Sequence, residues 1–349
     1  MARSGGGIRR ARKENLLPAG KLPVRLLDRL LKKYASGGPG VVIGPSIGID
    51  SAIVNIHGTL LAAKSDPITF VSDNIGAYAV FVNANDIAAM GAAPKWFLAT
   101  ILLPEGKATA KMAEQIFAQI SSACDEAGAV LCGGHTEITP GINRPLVTGH
   151  MLGTLHGKKP VTSAGAKPGD ALILTKGIAI EATSVIAREL AAKLKGSFSA
   201  AFLKRCANYF KAPGISVVKD ARVAMANGPI NAMHDPTEGG LSAALHELSL
   251  ASGCSIIVEQ NLIPVLPEAK ALCEFFGIDP LGAISSGALL ISAPATRAKK
   301  ITAALATNGI LSAVIGKVEA KGRGVRIIAD GKTKKLKHFE RDELTKILV

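Results

Sequence analysis

Apolar positions along the chain alternate between two rhythms. Leu26, Leu27, Leu30, Leu31 and Tyr34 recur at helical spacing from Leu22 onward and run into Gly37-Gly38-Pro39-Gly40, which predicts a helix ending there. Short extended runs follow at 41–43, 52–56 and 59–63, the last two joined by a "NIHGTL" hairpin. Residues 74–90 read as a buried helix, rich in Ala and apolar on most sides. "PKWFLATILLP" reads as a strand, and 109–127 as an amphipathic helix with Met112, Ile116, Ile120 and Ala123 on one face. A β-like run from Ala129 to Cys132 then breaks into "GGHTEITPG", which has the composition of a turn, before the strand "PLVTGHMLGTL".

"GKKPVTSAGAKPGD" has little to bury and marks a boundary. Beyond it the pattern restarts with the strand "ALILTK", a mostly helical 181–226, and the strand "INAMHD". A helix at 239–252, the strand "CSIIVE" and a helix at 267–276 come next. "GALLISAP", a helix at 296–308, "LSAVIGKVEA" and the hairpin "VRIIADGKTKKLKHF" complete it. The expected class is α/β (α+β) in two parts. These are a loose basic tail over 1–19, an N-terminal domain over 20–157 and a C-terminal α/β domain over 165–349.

Composition narrows the function. Apolar residues make up 48% and charged residues 19%, which describes a folded chain. No apolar run approaches the roughly 18 residues that cross a bilayer, and the basic N-terminus has no hydrophobic segment behind it. The five cysteines form no CxxC pair, so a reducing, cytoplasmic setting is expected, without a membrane. The net charge of +14 is confined to the ends: residues 1–33 hold ten Lys/Arg against two acids, and 317–349 hold ten against five. The body between is nearly balanced and aromatics are only 4%, which disfavours a nucleic-acid partner.

Walker-type, dinucleotide-fingerprint, HExxH and GxSxG motifs are all missing. Short acidic motifs stand at element edges instead: "GIDSAIV" with Asp50, "AKSDPIT" with Lys64, Ser65 and Asp66, "NANDIAAMG" with Asn83, Asn85 and Asp86, and "MHDPTEGGL" with His234, Asp235, Thr237 and Glu238. Asp86 lies in an otherwise apolar helix, a costly place for a carboxylate unless it is paired or ligating. Converging carboxylates need a cation, and Mg²⁺ held with substrate phosphates is the usual one. Any one Asp alone reads better as a cap or turn residue. Cys132 and His135 have the spacing of half a zinc site, but no second half-site appears.

Taken in order, "GIDSAIV", "KSDPIT", "NANDIAAMGA", "GGHTEITPG", "HDPTEGGL" and "SSGALLISA" resemble the aminoimidazole ribonucleotide (AIR) synthetase superfamily. That superfamily includes the purine enzyme, thiamine-monophosphate kinase, selenophosphate synthetase and the hydrogenase maturation factor HypE. The likeness spans about residues 20 to 320 and is strongest to HypE and HypE-like AIR synthase-related proteins. It implies ATP and Mg²⁺ in a cleft completed by a homodimer whose N-terminal halves share a β-barrel. It also implies activation of an oxygen-bearing group by phosphoryl transfer, which in HypE-like chemistry turns a carboxamide into a nitrile. Asp50, Asp66 and Asp86 match the metal-binding aspartates, with Glu137 standing in for the acidic residue expected at His135. Lys64, Asp66, Asp86 and Asp235 form the expected catalytic set. Lys64, Ser65, Asn85, Gly133, Gly134, His135, Thr136 and Thr237 are the expected nucleotide contacts. On this reading Gly133 and Gly134 give room for phosphate and Cys132 is a buried strand residue.

HypE carries its substrate on a C-terminal cysteine, whereas this sequence ends "DELTKILV" and its last cysteine, Cys273, lies in an apolar helical stretch. A small free or separately carried carbamoyl-like substrate is therefore expected, together with a maturation partner protein. A kinase or ligase of the thiamine-phosphate or AIR type, and a non-catalytic nucleotide-binding regulator, are the alternatives.

Overall fold

The computed structural model describes residues 17, 21–35, 37–69, 71–155 and 159–348. The tail expected over 1–19 lies outside them, apart from Leu17. Two sheets organise the chain. The first contains β1 (Val41–Ile43), β2 (Ala52–Ile56), β3 (Thr59–Ile68), β4 (Ala92–Pro104), β5 (Val130–Thr139) and β6 (Leu146–Leu155), in the order β1-β2-β3-β6-β4-β5. All its ladders are antiparallel except β4–β5. With it go helices α1 (Val24–Tyr34), α2 (Ile75–Ala89) and α3 (Ala110–Ala127).

The second sheet contains β7 (Asp170–Thr175), β8 (Ala232–His234), β9 (Cys254–Glu259), β10 (Leu290–Pro294), β11 (Ser312–Lys321), β12 (Gly324–Ala329) and β13 (Lys332–Lys335), in the order β13-β12-β9-β11-β7-β10-β8. Its helices are α4 (Ile180–Glu189), α5 (Ala191–Leu194), α6 (Ala200–Ala207), α7 (Val218–Asn227), α8 (Gly240–Ser252), α9 (Pro267–Phe276), α10 (Ala295–Thr307) and α11 (Thr345–Leu348).

Helix α2 is the structural centre. Fourteen of its fifteen residues are buried, because it lies on the first sheet with α3 on one side and α7 on another. Strand β6 presents Val147, Gly149, Met151 and Gly153 to that face in strict alternation. Gly149 is needed there: a Cβ would lie 2.7 Å from the Ala79 carbonyl oxygen and press on the Asn83 amide. Tyr78 and Phe81 of α2 pack against Phe210 of the second half, with ring centroids at 4.8 and 5.9 Å. Ala88 and Ala89 join a further cluster with Ile173, Val217 and Ile291. One apolar core therefore runs from the first sheet into the second half through a single helix.

Two elements differ from expectation. Strand β3 continues through Lys64 and Asp66 to Ile68, with Pro67 placed where β2 no longer pairs with it. Strand β5 does not stop at the glycines; it runs through Gly133, Gly134 and His135 to Thr139, paired on one side with β4. Hydrogen bonding to β4 holds this polar, glycine-containing stretch extended, where composition alone reads as a turn.

Candidate active site

Side chains alternate along β3, so Lys64 and Asp66 share a face. Asn83 of α2 pins Asp66 in place: its Oδ1 accepts from the Asp66 N–H at 2.9 Å, and its Nδ2 donates to the Asp66 and Ala79 carbonyls at 3.3 and 2.8 Å. Three residues along α2, on the same side of the helix, is Asp86. The Lys64 ammonium sits 3.2 Å from Asp66 Oδ2 and 3.2 Å from Asp86 Oδ2. The carboxylate in the apolar helix is thus paired, as burial requires.

The second half completes the cluster through β8, which abuts α2. His234 ends that strand with its Nδ1 2.7 Å from Asp50 Oδ1 and its Nε2 2.6 Å from Glu247 Oε2 on α8. Asp235 follows. Ligand atoms of Asp50, His234 and Asp235 all lie within 4.8 Å of one another. Lys21 reaches in from the N-terminal side, its Nζ 3.3 Å from Thr237 Oγ1.

Proton affinities follow from this packing. Burial works against the Lys64 ammonium, but Asp86, Asp66, Asp50 and Asp235 together hold its pKa well above the usual lysine range. Burial pushes Asp86 well up, with Lys64 opposing and the other aspartates adding to the rise. Burial and then Asp50 push Asp235 up to about 7, against His234 and Lys64. His234 is raised despite burial because Asp50 and Glu247 flank it. The carboxyl groups outnumber Lys64 and His234. Asp50 Oδ2 and Asp235 Oδ2 are buried without a hydrogen-bond partner. Hard oxygen donors in excess, two of them unsatisfied, fit a divalent cation such as Mg²⁺.

The profile of the AIR synthase related protein N-terminal domain matches residues 48–155, and that of its C-terminal domain matches 167–329. The chain belongs to the AIR synthase related family. Among curated members, a selenide, water dikinase from Myxococcus xanthus (strain DK1622) is 30% identical over 329 residues, covering 83% of this chain and 88% of the relative. A carbamoyl dehydratase HypE from Cupriavidus necator is 30% identical over 268 residues, covering 74% and 71%. A crystal structure of the hydrogenase maturation protein HypE in complex with ATP superposes with a TM-score of 0.70 at 23% identity, over 93% of this chain and 97% of that one, which shows the shared fold. The named relatives are enzymes. Among the described residues, no helix of this AIR synthase related chain is long and apolar enough to cross a membrane.

Within this family member the expected site residues divide in two. Lys64, Asp50, Asp66, Asp86 and Asp235 converge, with Thr237 at the rim. Ser65 is one residue out of phase and faces the opposite side of β3. Asn85 is occupied at both ends, its Nδ2 donating to the Ile215 carbonyl at 2.8 Å and its Oδ1 accepting from the Val217 N–H at 2.8 Å, so it joins the two halves and offers nothing to a nucleotide. Gly133, Gly134, His135, Thr136 and Glu137 do not join the cluster in this chain. Asp66 pairs with Gly149, Gly149 with Ala99 and Ala99 with Gly134. That separates them by three strands, about 14 Å at the usual inter-strand spacing.

The His135 ring nitrogen and the Glu137 carboxylate meet each other instead, at 3.1 Å, on an exposed sheet edge. Gly134 is required by the close β4 backbone at Ala99, with φ +144°, whereas a side chain at Gly133 would meet only Leu98 at 3.8 Å. Cys132 is exposed, contrary to expectation, and Cys273 is buried, as expected. Sequence reading missed Lys21 and Glu247 as members of the site. It noted His234 without giving it a role, and only the contact between β8 and α8 reveals one.

Proposed function

We propose that this chain uses Mg²⁺-ATP to activate an oxygen of a small or separately carried substrate by phosphoryl transfer, in the manner of HypE. The single observation that carries this is the Lys64 ammonium held between Asp66 and Asp86, beside Asp50 and Asp235. Asp50, Asp66, Asp86 and Asp235 would hold the cation, which supplies charge neutralisation for phosphate oxygens. Lys64, kept charged by its neighbours, presents a fixed positive group to the same oxygens. Lys21 and Thr237 offer donors at the rim. Asn83 and His234 position Asp66 and Asp50.

A homodimer is part of this reading. Among the described residues, strand β5 leaves one edge of the first sheet unpaired and exposes Val130 and Ile138, at 62% and 64%. A second chain seated there would bring the glycines, His135 and Glu137 toward a neighbour's cleft. A cytoplasmic location and a maturation partner protein are further parts of the reading. A second reading, direct phosphorylation of a small substrate, is favoured by the 83% coverage with the selenide, water dikinase.

The test is ATP turnover with carbamoyl donors and with small anions, followed by ³¹P NMR and mass spectrometry. ADP, phosphate and a carboxamide lighter by one water support the first reading; a stable phosphorylated product supports the second. Turnover that needs no Mg²⁺, or that survives Asp66→Ala, refutes both.

A further inference from the structure

The near balance of charge in the body of the chain hides one local excess. Residues 190–219 carry six cations (Lys193, Lys195, Lys204, Arg205, Lys211 and Lys219) and no Asp or Glu. They form α5, α6 and the turns beside them, and all six cations are exposed. Ser199 caps α6, its Oγ accepting from the Phe202 N–H at 3.2 Å. Ala201, Lys204, Arg205 and Asn208 then recur at i, i+3, i+4 and i+7, so they share one side of the helix. Together with Arg188 of α4, Tyr209 and Glu268 of α9, that side walls an open groove of about 730 Å³.

The guanidinium groups of the groove are held in place. Arg205 Nε donates to Glu268 Oε1 at 2.8 Å and the Tyr209 hydroxyl donates to Glu268 Oε2 at 2.8 Å, so both oxygens of this carboxylate are taken. Arg188 donates to the Ala207 carbonyl from Nε at 3.2 Å and from a terminal nitrogen at 2.8 Å, and it pairs with Asp73. Among the described residues, Arg205 gives only its Nε to an acid, which leaves its terminal fork open to a second carboxylate.

Beside these cations lies an apolar surface. Contact between α6 and α9 gathers rings that are distant in sequence. Phe198 stacks on Phe202 at 4.7 Å, and Phe275 meets Phe198 edge-on at 5.3 Å and Phe276 at 5.0 Å. Phe275 is 45% exposed and the other three are half-buried. Arg205 joins the two regions, with its guanidinium carbon 5.7 Å from the Phe202 ring centre. Anchored arginines among aromatic rings are what the centre of a protein interface is made of, and an exposed apolar patch with a charged rim marks a docking surface.

We propose that this face receives an acidic, apolar segment of a partner protein, its carboxylates on Lys204, Arg205 and Lys211 and its apolar side chains on Phe198 and Phe275. Charge selects the occupant. Arg188, Lys195, Lys204, Arg205 and Lys211 stand against only Asp73 and Glu268, while Lys270 and Glu274 of α9 pair with each other at 3.9 Å. A nucleic acid fits less well, because Phe198 and Phe202 turn their faces to each other and two carboxylates stand in the path of a phosphate backbone. A flat membrane surface does not fill a groove. The C-terminal segment links this face to the cleft: Asp342 Oδ2 accepts from the Gly239 N–H at 2.8 Å, two residues beyond Thr237, and Lys193 Nζ donates to the Ile347 carbonyl at 3.3 Å. A role in delivering substrate rests on the reading that the substrate arrives on a separate protein; the docking surface itself does not.

The experiment follows the full chain by fluorescence anisotropy with a dye-labelled peptide alternating Glu and Leu. The same peptide with Lys for Glu, the same peptide with Ser for Leu, oligothymidylate and phosphatidylserine vesicles are the competitors. Amide hydrogen exchange locates the bound peptide. Saturable binding of the Glu-Leu peptide is expected, with protection in α6 and α9 and none in β5. Lys204→Glu combined with Lys211→Glu should weaken it at least about tenfold at low salt, and Phe275→Ser at least about fivefold, with Mg²⁺-ATP turnover on a free substrate unchanged.

Equal binding of the Lys-Leu peptide, tighter binding of oligothymidylate or vesicles, protection elsewhere, or no saturable binding would each overturn the docking surface. So would a dimer that dissociates in the doubly charge-reversed variant, which gives the face to a second copy of the chain. The wild-type exchange pattern decides if a variant does not fold. Peptide binding here by a chain without ATP turnover sinks the cleft reading alone. Turnover of Mg²⁺-ATP without peptide binding sinks the docking surface alone.

Discussion

Lys64→Met isolates the ion cluster. In the wild type the ammonium lies 3.2 Å from each of Asp66 and Asp86, whose side chains are 38% and 8% exposed. Breaking a buried pair by removing one partner costs about 3–5 kcal/mol where the remaining charge cannot escape. Asp66 is open enough to rehydrate and contributes little. Asp86 is not, and can avoid the penalty only by taking up a proton. Its pKa is already raised by burial with Lys64 opposing, and removing Lys64 raises it further.

The sign follows from linkage. A native carboxyl that binds its proton more tightly than the unfolded one makes stability fall as pH rises above the ordinary aspartate value of about 4 and up through the raised native value. Lys64→Met should therefore lose about 3 kcal/mol at pH ~8 and distinctly less at pH ~5.5. Urea unfolding with EDTA present, at both pH values, reads this directly. Asp86→Asn in the Lys64→Met background should restore about 1–2 kcal/mol at the higher pH. An equal loss at both pH values, with no recovery in the double variant, would refute the view that Lys64 neutralises Asp86.

Three further outcomes are expected. His234→Phe leaves Asp50 buried, and Glu247 half-buried, without their shared cation; it should destabilise the chain by about 2–4 kcal/mol in urea melts and weaken Mn²⁺ binding followed by electron paramagnetic resonance. Gly149→Ala forces α2 away from β6 and displaces Asn83 from Asp66, costing about 1–3 kcal/mol, with a fall in Mg²⁺-dependent ATP turnover, whereas Gly133→Ala leaves melting and fold unchanged. Glu137→Gln should impair Mg²⁺-dependent ATP use more than Cys132→Ser does. Because Glu137 is remote from Asp66 within one chain, mixing Glu137→Gln with Asp66→Ala protein should restore part of the activity in mixed dimers, and no restoration would refute its contribution to a neighbouring cleft.

The sequence carried the elements where their rhythm was strong. It also carried the cluster where an energetic conflict was visible: Asp86 in an apolar helix demanded a partner, and Lys64 supplies it. Parity was readable and decisive for Ser65, since Lys64 and Asp66 on one face of a strand put Ser65 on the other. Partnership across elements was not readable. Nothing local links His234 to Glu247, or Asn85 to the 215–217 backbone, because both depend on how α2, β8 and α8 meet. The glycines of β5 misled in a different way. Gly134 answers to a neighbouring strand's backbone, and composition cannot separate that demand from one made by a ligand.

Helix α2, buried in two clusters at once, also limits how the enzyme can move. Many phosphoryl-transfer enzymes exclude water by swinging one lobe onto another about a hinge. Here such a swing would pull Tyr78 and Phe81 away from Phe210 and strip Asn85 from the Ile215 and Val217 backbone. The two halves are therefore a fixed frame, and any sealing of the cleft falls to short peripheral pieces: the segment around Lys21 on one side and residues 342–348 on the other. Turnover should then be sensitive to these edges of the chain, far more than to any supposed linker between its halves.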